Sequence, residues 1–276
     1  MAELQARGRE AVELATRLLQ RVRLADPAAG IWEAADVQWW WRTPRASDDA
    51  PQSFRLDDEG PVAAVLATEF RGRWQVDPIG ALMSDHVAGA IARLGAVEVP
   101  VRDDDEALLE LVRAAGLVPG EHSAVAWMDA GERPAAELPD GFVLVHRAEP
   151  RGPHPMRGRN GESVEDRLRQ CSLYEPWLDL AVETEDGEVA GYSLYWFDPV
   201  TKVGLLEPMR VEEPFQRRGL ARAMIAAGLE RLAQRGTERM KVGYSTDAAG
   251  ALYAGCGFRV ESRSTWYRSR VRACQI

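Results

Sequence analysis

At 276 residues the chain is long enough for one large or two modest domains, since about 150 residues per domain gives roughly 1.8. Its 46% hydrophobic and 28% charged residues fit an ordinary globular protein; no apolar run approaches the ~18 residues that cross a bilayer, and the opening MAELQARGRE lacks the apolar core of a secretion signal. A formal charge of −9 argues against general nucleic-acid binding, and three cysteines (Cys171, Cys256, Cys274) without CxxC spacing argue against a disulfide scaffold or a zinc module and for a reducing cytoplasm.

Apolar residues at helical spacing (Leu4, Ala11, Ala15, Leu18, Val22) predict a helix over 3–25, stopped by Asp26-Pro27. Residues 30–59, with Trp32, Trp39, Trp40 and Trp41 among acidic, Pro and Ser residues, are loop-rich and take no assignment. Strands begin at Gly60 (PVAAVLATEF, then RWQVDPI), followed by a helix over 84–94 with Ser84 as N-cap and Gly95 past its end. A strand VEVPV (97–101), a helix 104–115 closed by Gly116, and a strand AVAWM (124–128) complete this half. The Pro- and Gly-rich stretch DAGERPAAELPDG reads as a linker, so domains are expected over 1–130 and 141–276, with 131–140 between them. The second half reads as strand 142–147, polar loop 148–161, a helix near 162–174, and strands 178–184 and 188–197 joined at Glu185-Asp186-Gly187. Strand 203–211, helix 219–235, strand 240–245, helix 247–255 and strands to about 270 follow.

The halves echo each other. GPVAAVL (60–66) sits like GEVAGYSL (187–194), and VEVPVRDDDEALLELVRAAGL (97–117) like MKVGYSTDAAGALYAGCGF (240–258). A tandem repeat of one α/β unit explains both matches; two unrelated domains with generic βαβ character is the alternative.

Chemistry concentrates in Val211-Glu212-Glu213-Pro214-Phe215-Gln216-Arg217-Arg218-Gly219-Leu220-Ala221, between a strand and an amphipathic helix. Small residues at Gly219 and Ala221 keep side chains clear of the turn, so backbone N–H groups from about Gln216 to Ala221 face outward at the positive end of the helix dipole. That is a site for a pyrophosphate, with Arg217 and Arg218 adding charge; a plain Gly-containing helix start is the alternative.

In context this segment resembles the acetyl-CoA signature of the GNAT superfamily of N-acetyltransferases, Gln/Arg-x-x-Gly-x-Gly/Ala, through Gln216, Gly219 and Ala221, with Pro214 where such a proline is common. A second family block is matched by Ala249, Leu252, Tyr253, Gly257 and Phe258. The resemblance covers about residues 140–271 and is strongest to tandem acetyltransferases of actinobacterial type, the group that includes mycothiol synthase. It implies an α/β fold with α+β mixed sheets: two tandem GNAT-like acyl-CoA acyltransferase units, the first degenerate. Asp77–Met83 stands where the first unit's phosphate loop belongs, and Leu109 takes the place of Tyr253, so no catalysis and no standard coenzyme A site are expected in 1–130.

The resemblance further implies acetyl-CoA as co-substrate and direct transfer to a small-molecule primary amine. The thioester is expected between strands 203–211 and 240–245, with Pro208 at a bulge. Glu207 is the expected base, an ion pair with an arginine being its other reading, and Tyr253 the expected acid, with simple packing as its other reading. Backbone N–H groups near Met209 or Val211 would hold the oxyanion, and Gln216, Arg217, Arg218, Gly219, Leu220 and Ala221 complete the cofactor set. Ser245 and Thr246 either touch the pantetheine arm or cap the next helix. A non-catalytic acyl-CoA-binding sensor or assembly module is the competing function; Glu207 and Tyr253 together favour the enzyme.

No pair among His86, His122, His146 and His154 has metal-ligand spacing, so no metal is expected. His154 and Asn160 stand where this fold shapes an acceptor pocket, although solvated loop positions suit each. The Trp32/Trp39/Trp40/Trp41 group either lines a cleft or packs in the core. No nucleic acid or membrane partner is expected, and the oligomeric state is open.

Overall fold

A computed structural model of the protein describes residues 1–70, 72–150 and 152–270. The chain forms two compact units: the first comprises Met1–Val37, Pro44–Ala124 and the segment from Ser262, the second Gln38–Thr43 and Val125–Glu261.

The first unit contains β1 (Ala2–Ala6), α1 (Gly8–Ala25), the start of α2 (Ala34–Trp40), β2 (Gln52–Asp57), β3 (Gly60–Phe70), β4 (Arg73–Gly80), α3 (Ser84–Leu94), β5 (Val97–Arg102), α4 (Glu106–Ala114) and the first part of β6 (Val118–Asp129). β1 to β4 pair antiparallel in order; β4 pairs with β5 in parallel only at Trp74↔Val97 and Gln75↔Glu98. β5 is flanked on its other side by Ser264–Arg268 of β12 (Arg259–Arg268). The helices close one core around Val76, Val87, Val99, Leu108 and Val112.

The helix expected over 3–25 begins later, because residues 2–6 pair with β2 and Gly8, at φ 55, turns the chain into α1. Likewise α3 starts at Ser84 itself, with Met83 at the cap position. The glycines past α3 and α4, Gly95 and Gly116, take φ 75 and φ 76, the left-handed exits their positions predict.

The second unit repeats the order: β7 (Phe142–His146), α5 (Arg157–Asn160), α6 (Val164–Leu168), β8 (Asp179–Thr184), β9 (Val189–Asp198), β10 (Val203–Val211), α7 (Leu220–Gln234), β11 (Arg239–Tyr244), α8 (Asp247–Gly255) and the first residues of β12. β7 to β10 run antiparallel, β10 and β11 parallel, and Val125–Asp129 of β6 completes the sheet beside β11. Each unit is therefore closed by a strand from the other half of the sequence. The helix predicted near 162–174 shrinks to α6, since Cys171 N bonds to Leu168 O (2.9 Å) and Tyr174 N to Cys171 O (3.2 Å), three-residue steps that bend the chain. Gln38 secures this bend: its Oε1 accepts from Leu173 N at 2.8 Å, and its Nε2 donates to Ser172 Oγ at 2.9 Å.

α7 lies on β8 to β10 over a core of Leu180, Tyr195, Phe197, Leu206, Ile225 and Leu229. Close approach there depends on Gly228, where a Cβ would sit 2.0 Å from the Tyr195 ring, whose hydroxyl donates to Met224 O at 2.8 Å.

Candidate active site

β10 is the strand that opens the site. Its parallel pairing with β11 runs from Val203↔Arg239 to Leu206↔Val242 and stops there. On its other side the register with β9 shifts between Leu206 and Met209, where Glu207 and Pro208 stand, joined by a cis peptide. Proline has no N–H for a ladder, so a break here sacrifices no donor. Trp196, fully buried on β9, donates from Nε1 to the Glu207 carbonyl at 2.7 Å and pins the bulge.

Past the bulge, Glu212 N donates to Ala190 O at 2.9 Å. Antiparallel alternation then turns the Arg210 amide toward β9 too, and leaves the amides of Met209 and Val211 facing the side that β11 has left. Two unclaimed donors thus border a gap between parallel strands, with the half-buried Glu207 at its inner end.

The turn after β10 begins with a single 3-10 turn, Glu213–Phe215. Phe215 is buried, meets Phe142 edge-on at 6.1 Å between centroids, and rests on Leu220 and Met224 of α7. Arg217 (φ 64) and Gly219 (φ 84) are both left-handed. Space does not require the glycine, since a Cβ would meet only Pro139 Cγ at 3.8 Å; its φ does. Gln216 Nε2 donates to Val211 O at 3.2 Å, so this side chain ties the turn together. α7 has no side-chain cap, and the first backbone bond back to the turn is Ala223 N to Gly219 O at 3.1 Å. The amides of Leu220, Ala221 and Arg222 are accordingly left for a ligand at the positive end of the helix. Arg217 and Arg218 are exposed beside it, Arg218 lying 5.6 Å over the Phe215 ring. This is a cradle that fits a pyrophosphate.

Tyr253 comes from α8, which Thr246 caps: its hydroxyl accepts from Ala249 N at 3.3 Å. The phenol ring is buried between Tyr244 (5.8 Å) and Phe258 (5.9 Å). Burial first, and the negative charge of Glu207 second, push its hydroxyl above the usual phenol value of 10.0. Glu207 and Tyr253 are thus within electrostatic reach of each other.

In the first unit two details differ from expectation. Asp77–Gly80 are the end of β4 rather than a loop, so only Ala81–Met83 join β4 to α3. The counterpart of Tyr253 is Val112, not Leu109. Asp105 caps α4 by accepting from Leu108 N as Thr246 does from Ala249 N, and Leu117 N bonds to Val112 O (3.1 Å) as Phe258 N bonds to Tyr253 O (3.0 Å).

His154 is no solvated loop residue. It is buried, with Nδ1 accepting from Met156 N at 3.2 Å, so that Nε2 carries the proton and donates to Asp179 at 2.9 Å. Tyr174 OH donates to the same carboxylate at 2.8 Å, and its ring meets Trp196 edge-on at 6.2 Å. Asn160 is likewise engaged, its Oδ1 accepting from Arg42 Nε at 2.7 Å. Trp39 and Trp40 are buried, Trp41 lies under the Arg167 guanidinium (3.4 Å), and Trp32 meets Trp266 edge-on at 6.3 Å, so packing accounts for the group. Among the described residues, no three His, Cys, Asp or Glu side chains converge as a metal site. Cys171 and Cys256 are buried thiols; Cys274 lies outside the described residues. Sequence reasoning missed Trp196, Phe215 and the His154–Asp179–Tyr174 cluster. Alternation assigns Trp196 a face of β9 but not the carbonyl it bonds.

Residues 149–258 match the family model of the GNAT acetyltransferases. A mycothiol acetyltransferase of Clavibacter michiganensis subsp. michiganensis (strain NCPPB 382) is 31% identical over 122 residues, which cover 42% of this chain and 38% of that protein, well under half the relative's length. Among solved structures, a tandem GNAT protein from the clavulanic acid biosynthesis pathway superposes with a TM-score of 0.67 at 15% identity, covering 97% of this chain and 98% of its own. A GCN5-related N-acetyltransferase from Sphaerobacter thermophilus gives 0.59 at 18% identity, covering 97% and 95%. The fold is therefore that of tandem GNAT proteins, and it is over residues 149–258 that the chain is similar to the GNAT acetyltransferases.

Proposed function

We propose that the second unit takes acetyl-CoA on the Gln216–Ala221 turn and transfers its acetyl group directly to a primary amine of a small molecule. The observation that carries this reading is the end of β10–β11 pairing at Leu206↔Val242, beside Glu207 and the unclaimed amides of Met209 and Val211. Bound acetyl-CoA supplies a thioester, an electrophile that a neutral amine can attack.

Glu207 takes the proton that a protonated amine must lose at neutral pH, directly or through one water. The Met209 and Val211 amides stabilise negative charge developing on the attacked carbonyl oxygen. Tyr253, held protonated by burial, donates to the departing thiolate. Leu220 and Ala221 amides hold the diphosphate, with Arg217 and Arg218 beside them and Gln216 and Gly219 shaping the turn. The buried thiols of Cys171 and Cys256, neither in a disulfide, suit the reducing cytoplasm.

Thiol release from acetyl-CoA, screened against a panel of small amines, tests this in the wild type, Glu207→Gln and Tyr253→Phe. An amine-dependent rate that falls in both variants supports transfer. Equal rates in all three, with coenzyme A still binding, would instead indicate a sensor.

A further inference from the structure

The second unit holds a cavity of about 420 Å³ that the acetyl-transfer reading does not use. Three guanidiniums from three separate stretches line it: Arg147 at the end of β7, Arg169 just past α6, and Arg235 at the end of α7. Its other side chains include Tyr174, Trp177 and a single carboxylate, Glu175. This volume lies within the range of small-molecule sites, roughly 300–1,000 Å³.

The guanidiniums are held in place but retain donors. Glu165, behind the wall, accepts from Arg147 Nη2 at 2.8 Å and from Arg169 Nη2 at 2.9 Å, so one carboxylate is shared between two cations. Arg147 also donates Nη1 to Gly152 O at 3.2 Å, while its buried Nε has no hydrogen-bond partner. That N–H is enclosed, so a ligand in the cavity meets this guanidinium through its Nη groups. Arg235 pairs with Glu175 at 2.5 Å, and its guanidinium lies 5.2 Å over the Trp177 ring, with Arg231 at 4.7 Å on the same ring. A cationic wall thus stands beside an aromatic surface already ordered by stacked cations.

We infer that this cavity binds a small organic anion, its phosphate or carboxylate head on Arg147 and Arg169 and a flat apolar body against Trp177. Planar guanidiniums suit such heads because they donate two parallel hydrogen bonds. The site is separate from the diphosphate cradle: the cradle lies at the first residue of α7 and Arg235 follows its last, and fifteen residues of helix span about 22 Å. It stands independently of acetyl transfer.

Calorimetry on the full chain with phenyl phosphate tests the assignment, with inorganic phosphate as the head-only probe and coenzyme A as the control ligand. Phenyl phosphate is expected to bind saturably, more tightly than inorganic phosphate, and about tenfold more weakly to each of Arg169→Gln and Arg235→Gln. Both arginines are partly exposed, so these variants are expected to fold, and unchanged coenzyme A affinity in each confirms that the second unit is intact. Absence of saturable phenyl phosphate binding, equal affinity in wild type and both variants, or displacement of phenyl phosphate by coenzyme A overturns the inference.

Discussion

Tyr253 and Asp77 are two buried acids that their surroundings hold protonated above the usual range, and each leads to a different measurement. For Tyr253, burial and the charge of Glu207 raise the phenol, so it stays protonated throughout the neutral range. Tyr253→Phe is expected to lower kcat by about a hundredfold with coenzyme A affinity unchanged, read by steady-state rates and calorimetry. Asp77, 1% exposed on β4, accepts from Trp32 Nε1 at 2.9 Å and from Gln75 Nε2 at 3.0 Å on both oxygens. Burial outweighs these donors and pushes its carboxyl from 3.8 up to about 7, with Asp36 and Glu98 adding to the rise. The raised acid is neutral in both states below pH ~4; from there to about 7 only the unfolded chain ionises, so stability falls as pH rises through that window. Denaturant titration is expected to show this loss, on the order of 4 kcal/mol at most, and Asp77→Asn is expected to flatten it. Of these residues, Glu207, Tyr253 and Gly219 could be placed from the sequence, since local spacing sets them on β10, on α8 and at the start of α7. Trp196, Phe215 and Asp179 were not, because each owes its place to a partner on a different segment: Glu207 O, the Phe142 ring and His154.

At the scale of elements, the strand–turn–helix from β10 to α7 was readable in outline. Strand 203–211 and helix 247–255 coincide with β10 and α8, the latter opened by the capping threonine Thr246. The segment after Asn160 was not readable, since its helical pattern yields to side-chain anchors such as Gln38. The seating of α7 on β9 gives a sharp test. Gly228→Ala places a methyl 2.0 Å from the Tyr195 ring, so helix or ring must shift. A loss of about 1–3 kcal/mol in denaturant unfolding is expected, together with weaker coenzyme A binding, because the turn is carried on the same helix. At Gly219, φ 84 disfavours any β-branched residue, and Gly219→Val is expected to abolish coenzyme A binding while costing less stability than Gly228→Ala.

For the whole molecule, the repeat was legible and its closure was not. Internal similarity between 60–66 and 187–194 corresponds to β3 and β9, and the segments at 97–117 and 240–258 to β5–α4 and β11–α8. Nothing local tells Val125–Asp129 to lie beside β11, or Ser264–Arg268 beside β5, since either strand has suitable alternation for either edge. A fragment starting at residue 141 omits Val125–Asp129 and leaves β11 with an open edge. Such a fragment is expected to aggregate or to show broad, non-cooperative thermal melting, whereas one starting at residue 118 retains the strand and is expected to be more soluble.

The exchanged strands also set an order on synthesis. The ribosome finishes β1 to β5 early, yet the neighbour of β5 is made only when residues 264–268 emerge, after every element of the second unit from β7 to α8. The amino-terminal half must therefore wait, its β5 edge unpaired, while some 160 further residues are added, about 8–32 s at ordinary elongation rates. In that interval the nascent chain presents a free β-edge to other chains, and a holdase able to cover it is the cellular factor on which the yield of this protein should most depend.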